Sequence, residues 1–186
     1  MLSFVICYSR QSDAKEALLI GCLKSIRLHA PRARILLASW DRDLKPTPNV
    51  DVVPMLGPFC RKRGIEACLA VAAFSSRKPG AFVLLDADVL FTSSDCIGRG
   101  MAALAEGKVY FPICTKLHED GSPDEPWDCA YGTVFLTAED YWNAGAWKEK
   151  FNWGEDDREF FGQLRFRAVR DQPVGLYHQW HEGTRW

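Results

Sequence analysis

A chain of 186 residues with 47% apolar side chains is long enough for one domain with its own core. Its 23 Lys and Arg against 24 Asp and Glu leave a formal net charge of −1, which excludes a global pull toward nucleic acid or an anionic membrane surface. No apolar run reaches bilayer-spanning length and Met1 to Tyr8 holds no basic leader, so neither a secretory signal nor a transmembrane anchor is expected.

Leu2 to Tyr8 is a short apolar run suited to a buried strand. Ser12 or Asp13 can cap a helix whose inner face carries Leu18, Cys22, Ile26 and His29, and Pro31 stops it. Arg34 to Ala38 and Val50 to Val53 read as two further strands. Cys60 to Ser75 has helical spacing, with Ile65, Leu69 and Ala72 or Ala73 on one face. After a Pro79-Gly80 turn, Ala81 to Leu85 is another buried strand. This β-α-β-β-α-β order predicts an α/β fold, a mostly parallel central sheet with helices on both faces.

The second half reads differently. Ile97 to Ala105 is helical, Val109 to Ile113 a strand, and Thr115 to Trp127 a polar loop punctuated by Gly121, Pro123 and Pro126. Gly132 to Leu136 is an apolar run, and Thr137 with Asp140 forms a capping box for a short helix that ends near Gly145. Glu155 to Ala168 is a last helix, and an aromatic tail runs from Gly175 to Trp186. The layout expected is one domain, with residues 1–92 as a nucleotide-binding half and 93–186 as an acceptor-facing half. The seven cysteines are odd in number, scattered and without C-x-x-C, as in a reduced, cytoplasmic protein.

Three segments carry chemistry. Asp86-Ala87-Asp88 follows an apolar run, and read as strand residues its two carboxylates face one side. They lie where an open α/β sheet binds ligands, and a hard divalent cation would compensate them. Gly154-Glu155-Asp156-Asp157 places acids at a helix start beside Trp153. Helix-dipole compensation accounts for such acids, and so does a tuned general base. The tail Tyr177-His178-Gln179-Trp180-His181 carries two of the chain's four histidines, which can ligate a metal.

Taken in order, these residues resemble nucleotide-sugar glycosyltransferases of the GT-A fold, in the inverting branch with chondroitin-polymerase-type and galactosyltransferase-type domains. Leu2 to Arg10 is similar to the first strand and its nucleotide-contacting turn, which the resemblance assigns to Tyr8 and Arg10. Ile35 to Asp41 resembles the second strand, whose terminal Asp41 would hold uracil or ribose, and Arg61-Lys62-Arg63-Gly64 resembles the segment from which Arg63 would reach the nucleotide. Asp86-Ala87-Asp88 matches the D-x-D motif. Asp86 and Ala87 would face the nucleotide, while Asp88 would ligate the metal with Asp86 and a tail histidine, His178 or His181. Gly132 to Gly145 is similar to the acceptor-side segment, from which the chain departs at Gly145-Ala146 and Lys148. Asp156 would be the base, with Glu155 binding hydroxyls and Trp127 and Trp153 offering sugar-stacking faces.

The resemblance implies transfer of a sugar from a nucleotide-diphosphate donor, UDP as the carrier, to a glycan or other hydroxyl acceptor, with inversion and with Mn²⁺ or Mg²⁺ as cofactor. Two other readings explain parts of the pattern. A haloacid-dehalogenase-like phosphatase also uses a strand followed by D-x-D, with Lys150 and Asp156-Asp157 in its later roles. A glycosyltransferase-like domain that binds nucleotide sugar or glycan without turnover is the non-enzymatic alternative.

Overall fold

The computed structural model describes residues 1–9, 12–41, 44, 49–75, 80–148 and 155–181. Arg10, Lys150, Trp153 and Gly154 lie outside them.

The first half builds the expected motif. Strands β1 (Leu2–Tyr8), β2 (Arg34–Ser39), β3 (Val50–Pro54) and β4 (Ala81–Leu85) alternate with helices α1 (Asp13–His29) and α2 (Arg61–Ser75). β1 pairs in parallel with both β2 and β4, and β2 with β3. Side chains alternate across this sheet as strand geometry requires. Phe4 and Ile6 pack with Leu19, Cys22, Leu23 and Ile26 of α1 on one face. Val5 packs with Ile65, Cys68 and Leu69 of α2 on the other. Ile6 and Ile26 are fully buried. Each such side chain contributes about 2 kcal/mol of transfer free energy. The Ser12 side chain accepts the Lys15 N–H at 3.3 Å and starts α1, as the sequence predicts.

After β4 come β5 (Val89–Phe91), α3 (Asp95–Ala105), β6 (Val109–Tyr110), β7 (Cys114–Leu117), β8 (Pro123–Trp127), β9 (Val134–Thr137), α4 (Ala138–Asn143), α5 (Glu155–Leu164), β10 (Ala168–Val169) and β11 (Leu176–His178). The main sheet runs β10-β6-β9-β4-β1-β2-β3, with β9 antiparallel to both its neighbours. A second sheet runs β5-β11-β7-β8. The main sheet therefore takes strands from both sides of residue 92. The Thr137 and Asp140 capping box is present, and α4 is followed by Gly145 at φ 82°.

Three expectations are corrected. Thr115 to Trp127 is an antiparallel hairpin rather than a loop: Cys114 pairs with Trp127, and Gly121 at φ 80° turns the chain. Its prolines sit on edge strand β8, where a missing ladder donor is tolerated. The last helix ends at Leu164 rather than near Ala168, because the chain there enters β10 beside β6. Asp86-Ala87-Asp88 is a turn between β4 and β5 rather than strand, so the two carboxylates do not share a side. No described helix is long and apolar enough to cross a membrane, and all seven cysteines are free thiols.

Candidate functional site

The chain folds so that β1 leads to β2 on one side while β4 returns on the other. Ligands of open α/β sheets bind outside the strand carboxyl ends at such a switch point. Tyr8, Asp41 and the D-x-D turn all lie at these ends. The Trp40 N–H donates to the Tyr8 carbonyl at 3.0 Å, and the Asp41 N–H to Ser39 Oγ at 3.1 Å, which sets the turn after β2.

The turn aims its two acids at different partners. Asp88 faces the tail: His181 Nε2 lies 3.1 Å and His178 Nε2 3.5 Å from its Oδ2. The tail arrives there because β11 pairs antiparallel with β5, setting His178 opposite Val89. The Gln179 N–H donates to the Asp88 carbonyl at 2.8 Å, and Gln179 Nε2 donates to the Leu18 carbonyl at 3.1 Å, which ties the tail to α1. Ligand atoms of Asp88, His178 and His181 lie within 4.8 Å of one another. Asp88 Oδ1 is buried and, among the described residues, has no hydrogen-bond partner. A carboxylate oxygen buried so is costly unless something binds it. One carboxylate and two imidazoles, with this oxygen left over, fit a divalent cation.

Burial disfavours charge on Asp88, yet the bond from His181 and the proximity of His178 hold its carboxyl below the usual range. Burial lowers His178 despite Asp88, so its imidazole is neutral at pH 7, the form that ligates metals.

Asp86 turns the other way, to Arg61. The guanidinium places Nη2 3.2 Å from Asp86 Oδ1 and Nη1 2.8 Å from Asp157 Oδ1. Nη2 also donates to the Gly132 carbonyl at 3.0 Å, and Cζ lies 4.2 Å from the centroid of the Trp147 ring. Burial opposes the arginine's charge, but Asp86 and Asp157 outweigh it and hold Arg61 more firmly protonated than usual. Desolvation pushes the Asp86 carboxyl up, Arg61 pulls it down, and Asp157, Asp88 and Asp156 add to the rise. The net result is a carboxyl pushed up to about 7, with desolvation outweighing Arg61 even though 44% of the side chain meets solvent. Burial likewise raises Asp157 against the pull of Arg61. A Cβ on Gly132 would lie 2.4 Å from Asp86 Oδ2, so only glycine allows this approach.

Beside this network opens a cleft of about 410 Å³, whose wall includes Asp86, Trp127, Tyr131, Glu155, Asp157 and His178. Asp156 stands behind Glu155 and Asp157: its Oδ2 accepts the Trp147 Nε1–H at 2.9 Å. Tyr131 stacks on Phe161 at 4.3 Å between centroids, with Arg170 Cζ 4.6 Å from the Tyr131 centroid.

The structure thus brings together Asp88, His178 and His181, and separately groups Asp86, Glu155 and Asp156 around the cleft and its backing. Ala87 packs against the core below the turn. Arg63 is exposed and donates to the Leu56 carbonyl at 3.0 Å, away from the acids. Arg61, Asp157, Trp147 and Gly132 are the residues that the sequence reading did not assign to the acid network. One signal for Arg61 was available. Arg61-Lys62-Arg63 opens α2 with positive charge and no acid, against the helix dipole. Such a residue needs a partner elsewhere.

No protein-family model matches the chain, and no curated protein sequence matches it. Solved structures match in fold. TarS 1-349 from S. aureus superposes with a TM-score of 0.68 at 11% identity, over 96% of this chain and 60% of that one. The same TarS segment in complex with UDP-GlcNAc gives 0.64 at 13% identity, over 98% and 59%. A mannosyltransferase from Pyrobaculum calidifontis in complex with GDP-Man and Mn²⁺ gives 0.63 at 11% identity, over 99% and 57%. The chain spans about 60% of the length of these proteins. At this identity the likeness is one of architecture, and the chain has the mixed α/β fold that these structures share.

Proposed function

We propose that the chain is a metal-dependent glycosyltransferase that moves a sugar from a nucleotide-diphosphate donor, UDP-linked, to an acceptor hydroxyl with inversion. The observation that carries this reading is the Asp88–His178–His181 cluster after the carboxyl end of β4, whose His178 also lines the cleft that Asp86, Glu155 and Asp157 wall. The fold is shared with structures that hold UDP-GlcNAc, or GDP-Man and Mn²⁺, which supports a nucleotide sugar as donor.

In this reading Asp88, His178 and His181 would hold a divalent cation, which would supply charge to offset that of the departing diphosphate. Two imidazole ligands favour Mn²⁺ over Mg²⁺, which prefers oxygen. Tyr8 and Asp41, at the ends of β1 and β2, hold the nucleoside together with Arg10. Asp86 and Ala87 face its ribose, Asp86 held by Arg61. Arg63 stays with the nucleotide only if it leaves the Leu56 carbonyl. Residues 93–186 bring the acceptor, a glycan or another hydroxyl-bearing molecule, to the cleft. Asp156, oriented by the Trp147 indole, takes the proton of the attacking hydroxyl. Glu155 on the cleft wall binds hydroxyls. Attack opposite the leaving nucleotide inverts the anomeric centre, the two-face logic known from glycosidases. The free thiols are in keeping with a cytoplasmic site of action.

The test is a panel of sugar nucleotides with Mn²⁺, beside phosphomonoesters as control substrates. The reading predicts nucleotide release from one sugar nucleotide, lowered at least about 100-fold by Asp156→Asn with nucleotide binding retained. Phosphate release from a phosphomonoester, with no nucleotide release, would establish the phosphatase instead. That chemistry needs Asp86 as nucleophile, and Asp86 is engaged by Arg61. Nucleotide binding without turnover would mark a binding domain.

A further inference from the structure

Trp147 is fully buried, yet it touches charged groups on both of its chemical faces. Its ring lies under the Arg61 guanidinium, 4.2 Å from Cζ to centroid. Its Nε1–H donates to Asp156 Oδ2 at 2.9 Å. Arg61 in turn forks, with Nη1 on Asp157 and Nη2 on Asp86 and on the Gly132 carbonyl. One indole and one guanidinium therefore fix three carboxylates, two from α5 and one from the D-x-D turn. These elements are far apart in sequence: Arg61 and Asp157 are separated by 96 residues of chain.

Like charges this close repel, and each would be better solvated elsewhere. The planar fork of arginine counters this by binding two carboxylates at set angles, and the apolar indole beneath it removes competing water. An indole N–H offers its single donor in one direction only, so it defines where the Asp156 oxygen sits.

We propose that Arg61 and Trp147 are a positioning pair that registers the base-bearing first turn of α5 against the D-x-D turn. This rests on the glycosyltransferase reading given above. In it, neither side chain touches donor or acceptor. They act through the geometry of Asp86, Asp156 and Asp157. Loss of the Trp147 N–H costs turnover rather than donor affinity, because it holds only Asp156, while the metal cluster and the nucleoside-facing strand ends are built from other residues. Loss of Arg61 also releases the ribose-facing Asp86 and so costs donor affinity as well.

The experiment compares Trp147→Phe, Arg61→Lys and Arg61→Gln with wild type in the full chain. It reads kcat and donor KM with the sugar nucleotide that wild type turns over. It also reads UDP and Mn²⁺ binding by calorimetry, and the melting temperature. Trp147→Phe keeps the ring and deletes the donor. Its kcat is expected to fall about 100-fold, the scale of a misplaced reacting group. Its donor KM and UDP affinity are expected to stay within about threefold, the pattern of a lost transition-state interaction. Arg61→Gln loses as much kcat and, with Asp86 released, raises donor KM as well, and Arg61→Lys, with charge but no fork, recovers only part of the loss. A merely structural role would lower the melting temperature and leave kcat per folded molecule unchanged. Wild-type kcat in folded Trp147→Phe, or losses confined to donor KM and UDP affinity, would overturn the inference alone. A wild-type protein that turns over no sugar nucleotide would overturn the glycosyltransferase reading and this inference with it.

Discussion

His181 Nε2 lies 3.1 Å from the carboxylate of Asp88, across 93 residues of chain. That contact exists because β11 lies beside β5, directly after the D-x-D turn. It joins the two segments of the candidate metal site, so its disruption should be felt as lost cation affinity. His181→Ala and Asp88→Asn are each predicted to weaken Mn²⁺ binding at least about 10-fold, since even the outer partners of metal ligands carry effects of that size. Mn²⁺ titration followed by electron paramagnetic resonance measures it. Unchanged affinity in both variants would remove the cluster from the metal site.

Metal affinity should also depend on pH in a defined direction. Burial lowers His178 below its ordinary value of 6.5, against the attraction of Asp88. The neutral imidazole, the ligating form, is therefore dominant at pH 7, and Mn²⁺ affinity should be flat above neutrality and fall on acidification below 6.5. The same shift makes the unfolded chain bind the extra proton first, so the His178 contribution to stability is present above the unfolded pKa and lost as pH falls through the interval below it. Calorimetric titration at several pH values reads the first effect. Affinity that rises on acidification would contradict it.

Gly132→Ala tests the closest backbone approach at the cleft. The new Cβ would lie 2.4 Å from Asp86 Oδ2, so the carboxylate must leave or the 132 backbone must shift. Turnover should fall, with a stability loss of about 1–3 kcal/mol typical of overpacking. Wild-type turnover in a folded variant would show that Asp86 is free to move without consequence.

Gly100→Ala is the matched control in the core. Its Cβ would lie 2.3 Å from the Phe135 ring, where α3 packs on β9. Urea unfolding should report a loss of about 1–3 kcal/mol, with nucleotide and metal affinity of the remaining folded protein unchanged.

Much of this was legible in the residues. The apolar runs of the first half placed β1, β2 and β4, because parallel strands buried on both faces read as continuous apolar segments. The Thr137–Asp140 capping box was also legible, since it is local chemistry. Pairings set by distant chain were not. The three residues of β11 are too few for a period, and only their place between β5 and β7 makes them a strand. The choice between Arg61 and Arg63 shows the same limit. Residues two apart on a helix point to nearly opposite sides, so only one can reach the acids, and the face is set by where α2 begins and what lies beneath it. Asp86 and Asp88 were visible as a pair in the sequence, but their split between a histidine partner and an arginine partner depends on the turn that follows β4.

The central claim is that a cation held by Asp88, His178 and His181 serves sugar transfer from a nucleotide donor. The most direct measurement is nucleotide release from a UDP-sugar by metal-stripped protein, before and after addition of Mn²⁺. The account predicts no release without metal, restoration by Mn²⁺ in wild type, and no restoration at the same Mn²⁺ concentration in Asp88→Asn. Full activity in excess chelator, or equal restoration in Asp88→Asn, would contradict it.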